Sequence, residues 1–176
     1  MKTITRIALI GFLFSFSFTA SNAQTTDSLI VQLSRKWINA KAYAIKMAEL
    51  MPENEYDFKP VPDEMSFKQQ LLHLADNIVW LSTSYLAPSI KRPAIDTANL
   101  SKRDVIKILD DAYNIGLVAQ NRLSLVDMDK KVDFFAGPKT IRQILILMHD
   151  HQSHHVGQII VYLRLRGIHP PDYVGW

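Results

Sequence analysis

Four segments of the chain carry apolar residues at the spacing of an α-helix, and this periodicity limits the possible folds more than any other feature. The first segment runs from about Thr26 to Met51 and ends before Pro52, which cannot continue a helix. Its apolar residues alternate intervals of four and three, at Leu29, Leu33, Trp37, Ala40, Ala44, Met47 and Met51. This spacing places the side chains along one face of a helix, as in a helix packed against a protein core.

Three further helices are predicted, and each opens with a pair of residues that satisfies the first backbone N–H groups. The capping pairs are Ser66 with Gln69, Ser101 with Asp104, and Thr140 with Gln143. The second helix is expected to end near Leu86, the third near Leu125 and the fourth near Arg166. No segment is typical of a sustained strand. The pattern therefore predicts an all-α domain that forms an antiparallel four-helix bundle.

Two histidines on the fourth predicted helix are the strongest candidates for a functional site. His151 and His155 are four residues apart, so both imidazoles project from the same helix face. Two imidazoles one turn apart can chelate a divalent transition metal. An isolated pair is more often part of a solvated helix face, so a metal site requires a third ligand. The flanking residues are strongly apolar, which indicates that the pair faces a pocket.

His73 is the best candidate for the third ligand. It lies in an apolar run of the second helix, with Asp76, Asn77 and Trp80 on nearly the same face. Facing helices of a bundle can bring such ligands together in the core. A lone histidine in an apolar run is more often an ordinary core or boundary residue, and the residues alone leave that alternative open.

The remaining histidines are not expected to bind the same metal. His154 lies about 100° from His155 around the helix, and His149 lies about 200° from His151. Both are predicted to be surface residues or to support a ligand, and His169 is predicted to lie in a loop.

The sequence does not distinguish a general base from an ordinary solvated polar residue, so no catalytic residue is assigned. The candidates are Glu49, Glu53, Asp76, Asp150 and Tyr162. Asn77 and Gln158 are expected to orient a ligand, because metal-bound histidines commonly need a partner on the second ring nitrogen.

The first 23 residues are typical of a secretory signal peptide. Lys2 and Arg6 give a positive start, residues 7–20 are apolar, and Ser21-Asn22-Ala23 fits a cleavage site before Gln24. The apolar stretch is too short for a membrane span, although an uncleaved anchor is the alternative. We therefore expect a mature domain of residues 24–176 in the periplasm or outside the cell, without stable membrane insertion.

The composition argues against a nucleic-acid partner and against covalent links through cysteine. Removing the signal peptide lowers the formal charge from +3 to +1, and no basic stripe remains, so a nucleic-acid partner is not expected. The chain has no cysteine, which excludes disulfides and a lipoprotein anchor.

Two ordered sets of residues resemble the two halves of the DinB-like proteins. The first set is Met51-Pro52, Tyr56-x-Phe58-Lys59-Pro60, Ser66-Phe67 and Leu72-His73-Leu74-Ala75. The second is His151-x-x-x-His155-x-Gly157-Gln158, Tyr162-Leu163-Arg164 and Gly167-x-x-Pro170-Pro171. The resemblance covers essentially the whole mature chain. It implies an antiparallel four-helix bundle, often a homodimer, with one metal held by His73, His151 and His155. The family often has a basic residue where this chain has Val156.

A site of three neutral imidazoles would leave the metal charge uncompensated and at least one coordination position open, which is the pattern of a catalytic site. Such a metal could activate water or bind a substrate thiol as a thiolate. The ligand type favours zinc or nickel, with iron and copper as alternatives.

The predicted function is therefore that of an exported metal-binding protein, a metal-dependent hydrolase or thiol S-transferase acting on a small-molecule substrate. An exported location argues against cytosolic thiols and so favours hydrolysis. The alternative is a non-catalytic protein of the cell envelope that binds a metal or a small ligand.

Overall fold

The helices predicted from sequence form the bulk of the structure. The structure, a computed structural model, describes the backbone of residues 21–95 and 97–176 and the side chains of residues 29–95 and 97–176. Residues 1–20 of the predicted signal peptide thus lie outside the described residues. The long helices are α1 (Ser21–Leu50), α2 (Phe67–Leu81), α3 (Lys102–Asn121) and α5 (Ile141–Leu165). The short elements are a 3₁₀ turn (Glu53–Glu55), a π-helical turn (Ser82–Leu86), α4 (Leu125–Met128), β1 (Lys131–Val132) and β2 (Lys139–Thr140).

The three predicted capping pairs are present at the starts of α2, α3 and α5. In the first of them, the Ser66 side chain accepts a hydrogen bond from the Gln69 backbone N–H at 3.2 Å, and the Ser66 N–H donates to Gln69 Oε1 at 2.8 Å. The pairs that begin α3 and α5 make the same reciprocal bonds. Each pair satisfies backbone donors that a helix start leaves free. The sequence therefore located these three helix starts correctly.

Two details differ from the sequence prediction. The third helix ends at Asn121 rather than near Leu125, because Ser124 caps a separate short helix, α4, by bonding Asp127. No strand was predicted in the segment that follows, yet β1 and β2 pair there as a small antiparallel hairpin. Strands of two residues are too short to show a period in sequence.

α1 and α3 pack side by side and run in opposite directions. Near the start of the α1 contact, the Ser34 hydroxyl donates to Asn121 Oδ1 at 2.5 Å. Further along, Lys41 Nζ donates to Asn114 Oδ1 at 2.8 Å. Residue numbers therefore rise along α1 as they fall along α3.

α2 and α5 form the second antiparallel pair, and this pair carries the candidate ligands. The Gln70 amide donates to Gln158 Oε1 at 2.5 Å, and the Ser82 hydroxyl lies 3.6 Å from Met148 Sδ. The C-terminal end of α2 therefore lies beside the N-terminal half of α5. This register decides which residues of the two helices can meet.

α2 and α3 run in the same direction although they are consecutive in the chain. Lys102, at the start of α3, donates to the Met51 carbonyl before α2, whereas Arg122, just after α3, donates to Ser89 after α2. The segment between the two helices must therefore return along the length of the bundle.

The apolar stripe of α1 is buried from Trp37 onward except at Ala40, which is half-buried. Trp37 is fully buried, and its indole N–H donates to the Tyr113 carbonyl at 2.9 Å. Leu29, near the start of the stripe, remains exposed.

Among the residues that the structure describes, no helix combines the length and the apolar character needed to cross a membrane.

Candidate metal site

The register of α2 against α5 brings His73, His151 and His155 together. One ring nitrogen of each lies within 4.8 Å of the others. The Nε2 atoms of His151 and His155 are 3.2 Å apart. The His73 ring centre lies 5.1 Å from that of His151 and 4.7 Å from that of His155. The structure thus forms from two helices the group of three histidines that the sequence predicted.

The three rings differ in their access to solvent. His155 is buried, whereas His73 and His151 are half-buried. The group is therefore backed by protein on the His155 side and reaches solvent on the other. An ion held there would keep a side open to water or to a small molecule.

Gln70 fixes the orientation of His155. The buried Gln70 side chain donates through Nε2 to Gln158. The Oε1 atom of Gln70 is therefore free to accept a hydrogen bond. That oxygen lies 2.7 Å from His155 Nδ1, so the imidazole donates from Nδ1 and directs the lone pair of Nε2 toward the other histidines. This arrangement is common behind metal-bound histidines.

The donor set fits a transition metal. With His155 Nε2 carrying a lone pair, the adjacent Nε2 of His151 faces it across 3.2 Å. A cation between the two nitrogens would satisfy both. In the described part of the chain, His151 Nδ1 is buried and has no hydrogen-bond partner, so this ring is not held in place by a second bond. The group could therefore hold a metal ion, and imidazole nitrogen suits zinc, nickel, copper or iron.

Burial keeps two of these imidazoles neutral. It lowers the pKa of His151 to about 4, with smaller contributions from the neighbouring His73 and His154. Burial also lowers the pKa of His155 to about 4, and the neighbouring histidines add to the effect. Neutral imidazole is the form that binds metal, so at neutral pH the lone pairs of both rings are available.

Acidic residues near the ligands in sequence are directed elsewhere. Asp76 is exposed and pairs with Arg92 at 2.6 Å, and Asp150 is exposed on α5. Glu53 accepts a hydrogen bond from the Lys102 backbone N–H at 3.0 Å. Within the described residues, the group of candidate ligands contains only imidazoles. None of these carboxylates is therefore placed as a ligand or base in this arrangement.

Tyr162, another candidate for a general base, is also engaged in bonds away from the ligands. Its hydroxyl donates to the Met65 carbonyl at 2.5 Å and lies 3.4 Å from Gln70 Nε2. Burial raises the pKa of this phenol, so it stays protonated at neutral pH. Tyr162 supports Gln70 from behind the ligands and does not face the metal position.

His149 does not join the site, as expected from its angle on the helix, but it is a core residue rather than a surface one. It is 5% exposed and lies edge-on to Trp37 at 4.9 Å between ring centres. Its Nε2 atom is 3.4 Å from Gln120 Oε1. Burial, and then the nearby Lys36, lowers its pKa to about 4.

The other two histidines lie at the surface; His154 was predicted to be a surface residue or to support a ligand, and His169 was predicted to lie in a loop. His154 is exposed beside His155, and its Nε2 lies 2.8 Å from the Gln158 amide. His169 is exposed after α5 and bonds the Pro170 carbonyl.

The residue that supports His155, Gln70, was not predicted from the sequence. Gln158 was expected to orient a ligand, but it contacts Gln70 and His154 instead. Asn77 makes no described bond to a ligand, and its Oδ1 atom is buried without a partner. Gln70 lies three residues before His73, on the same face of α2, and that spacing is the signal that could have identified it.

Comparisons with known proteins agree with this description. Residues 38–159 match the sequence model of the DinB superfamily. A DinB-like protein from Bacillus cereus ATCC 10987 superposes with a TM-score of 0.70 at 18% identity, covering 85% of this chain and 98% of that one. The DinB-like protein YjoA from Bacillus subtilis gives 0.66 at 18% identity, with 81% and 96% covered. No curated protein sequence matches this chain. At this identity the two structures establish a shared fold.

Proposed function

This chain belongs to the DinB superfamily, and from that premise we propose that it is a metal-dependent hydrolase of a small-molecule substrate. Its metal would be held by His73, His151 and His155. The observation that carries the proposal is the convergence of three imidazole nitrogens from α2 and α5 within 4.8 Å. Zinc or nickel best suits this donor set.

The residues have separable tasks in this proposal. The three imidazoles would hold the ion without neutralising its charge, and Gln70 keeps His155 in the tautomer that presents Nε2. The half-buried rings of His73 and His151 would leave one side of the site open to solvent. A bound zinc of this kind supplies a water of lowered pKa and polarises a substrate carbonyl or phosphoryl oxygen.

Export forms part of the proposal. The order of charged, apolar and small residues over positions 1–23 supports cleavage before Gln24. Mass spectrometry of the protein recovered from an exporting host is expected to show an N-terminus at or near Gln24. Recovery of intact protein beginning at Met1 in the membrane fraction would contradict export by a cleaved signal.

The test of function begins with metal analysis of protein purified without a histidine tag. The zinc-loaded and nickel-loaded forms are then assayed on ester, amide and phosphate substrates, with and without a low-molecular-weight thiol. We expect metal-dependent hydrolysis without thiol. Turnover only with a thiol would replace hydrolysis by thiol S-transfer. Stoichiometric metal with no turnover in any assay would favour the non-catalytic alternative.

A further inference from the structure

An aromatic cluster lies toward the C-terminal end of α2, beyond His73, and contributes no ligand to the histidine group. We call this cluster, formed by Trp80, Tyr85, Phe134 and Phe135, the aromatic platform. Phe134 stacks on Trp80 with 5.8 Å between ring centres, and Phe135 lies 6.2 Å from the same indole. Tyr85 contacts both Trp80 and Phe134, at 5.6 Å and 5.5 Å.

The platform is open to solvent at Phe135. This side chain is 83% exposed, although its ring lies 4.4 Å from that of Phe134. The turn that carries it is closed by a hydrogen bond from the Gly137 N–H to the Phe134 carbonyl at 2.9 Å. Gly137 has a φ of 86°, which glycine adopts readily. The paired strands β1 and β2 flank the turn, so an apolar ring is held at the surface by an ordered hairpin.

The position of Trp80 relates the platform to the proposed metal. Trp80 follows His73 by seven residues, which places the two side chains on nearly the same face of α2, about 10 Å apart along the axis. On α5, Leu147 precedes His151 by one turn and is 37% exposed. Because α2 and α5 are antiparallel, these two directions lead to the same end of the bundle. On both ligand-bearing helices, an apolar residue therefore follows the histidine in the direction of the platform: Trp80 on α2 and Leu147 on α5.

We infer that the aromatic platform binds an aromatic or extended apolar group of the substrate, whose polar reacting group coordinates the metal. The four platform side chains are aromatic and carry no charge, so they offer an apolar surface for such a group. The substrate class is an ester or amide with an apolar group about 10 Å from the reacting carbonyl. This inference rests on the proposed function, since it requires a metal at the three histidines.

Three hydroxamic acids separate the parts of this inference, because a hydroxamate binds an open zinc position directly. Acetohydroxamic acid contains the head alone, hexanohydroxamic acid adds an apolar chain, and phenylhexanohydroxamic acid adds a terminal ring. Their affinities for the zinc-loaded full chain are measured by calorimetry. We expect the phenyl compound to bind about tenfold more tightly than its parent without the ring.

Phe135→Ser is the informative variant, since the ring is 83% exposed and its loss is not expected to unfold the chain. It is expected to reduce the advantage of the phenyl compound to less than about twofold and to leave the acetohydroxamic acid affinity unchanged. Val118→Ser is the matched control, because Val118 is 45% exposed on α3 and is not part of the platform. This control is expected to retain the full advantage of the ring.

The outcomes separate this inference from the function beneath it. If acetohydroxamic acid fails to bind the zinc-loaded chain, the open metal site is wrong and the inference falls with it. Binding of the head with no gain from the ring would overturn the inference and leave the metal site standing. If Phe135→Ser changes the mass in sedimentation but none of the three affinities, the platform covers a second copy of the chain and the inference is wrong.

Discussion

At the scale of single residues, His151 and His149 show how position decides the role of an imidazole. The two are separated by one residue on α5, yet His151 faces His73 across the bundle, whereas His149 lies against Trp37 in the core. Burial lowers the pKa of both to about 4, so titration alone does not distinguish them. Their neighbours do, because only His151 has two further imidazoles within reach.

We therefore expect His151→Ala to lose metal and His149→Gln to keep it. Removing a ligand is expected to lower zinc affinity by more than the roughly 10–100-fold that follows loss of a supporting residue. His149→Gln retains a polar group opposite Gln120 and leaves the three ligands untouched. Metal content by mass spectrometry, after dialysis against a fixed chelator, measures both. Equal loss from the two variants would show that the wrong histidines were assigned.

Gln70 provides a second prediction at this scale. Gln70→Leu removes the acceptor for His155 Nδ1 and is expected to weaken zinc binding by about 10–100-fold. Gln70→Glu keeps an oxygen there and is expected to restore affinity to near the wild-type value. Competitive titration with a chromophoric chelator measures both.

Gln158→Leu is the control for that measurement. It removes the bond between Gln158 and Gln70 but no direct bond to a ligand, so a smaller effect is expected. If Gln158→Leu weakens binding as much as Gln70→Leu, the general packing of this region, and not the tautomer of His155, controls affinity.

At the scale of secondary-structure elements, the sequence was most informative where the physical cause is local. A capping pair needs only four consecutive residues, so the starts of α2, α3 and α5 were predicted correctly. The hairpin of β1 and β2 was not predicted, because strands of two residues depend on their surroundings. The spacing of His151 and His155 was likewise local.

The meeting of His73 with that pair is not local. It depends on the register of α2 against α5, which is fixed by packing between distant residues. The residues alone left His73 open between a core role and a ligand role, and only family resemblance selected the second. The spacing of Gln70 from His73 places it on the ligand-bearing face of α2, but its role was not assigned because its partner His155 lies 85 positions away in the chain.

Gly116 tests the packing between elements. A methyl group added there would lie 2.7 Å from Trp37 Cζ2 and 3.1 Å from Ile78 Cγ2, where α1, α2 and α3 meet. Gly116→Ala is expected to lower the free energy of unfolding by about 1–3 kcal/mol, because the indole ring cannot move aside in a filled core. Urea unfolding followed by circular dichroism gives the value.

Gly157→Ala is the matched control in α5. Nothing lies within 4 Å of the added methyl group, and alanine favours a helix over glycine by about 0.5–1 kcal/mol. This variant is expected to be as stable as the wild type or more so. Destabilisation of both variants to a similar extent would contradict the tight approach of α3 to Trp37.

At the scale of the whole molecule, the core of the bundle contains polar groups that respond to acid together. His149 and His155 are buried on α5, and His151 is half-buried between them. Burial is the first cause of the lowered pKa of each, and no carboxylate has a described contact that would stabilise the charged form of any of them. Protonation of these rings therefore opposes folding of the metal-free protein.

We expect the metal-free protein to lose stability as the pH falls from about 6.5, the usual pKa of histidine in an unfolded chain, to about 4. In this interval the unfolded chain binds protons that the folded chain does not, because the folded pKa values are about 4. The contribution of these neutral histidines to the free energy of unfolding is fully present above this pH interval and decreases no further below it. The slope is at most about 1.4 kcal/mol per pH unit for each histidine, and less for His151, which solvent reaches.

His149→Gln isolates one part of that slope without touching a ligand. The variant lacks the most deeply buried of the titrating groups, so its free energy of unfolding is expected to fall less steeply with acid than that of the wild type. Urea unfolding in the presence of a chelator, at several pH values between neutrality and about pH 4, measures the two slopes. Parallel curves for the two proteins would show that His149 titrates alike in the folded and unfolded chains, and that its place against Trp37 does not exclude the proton.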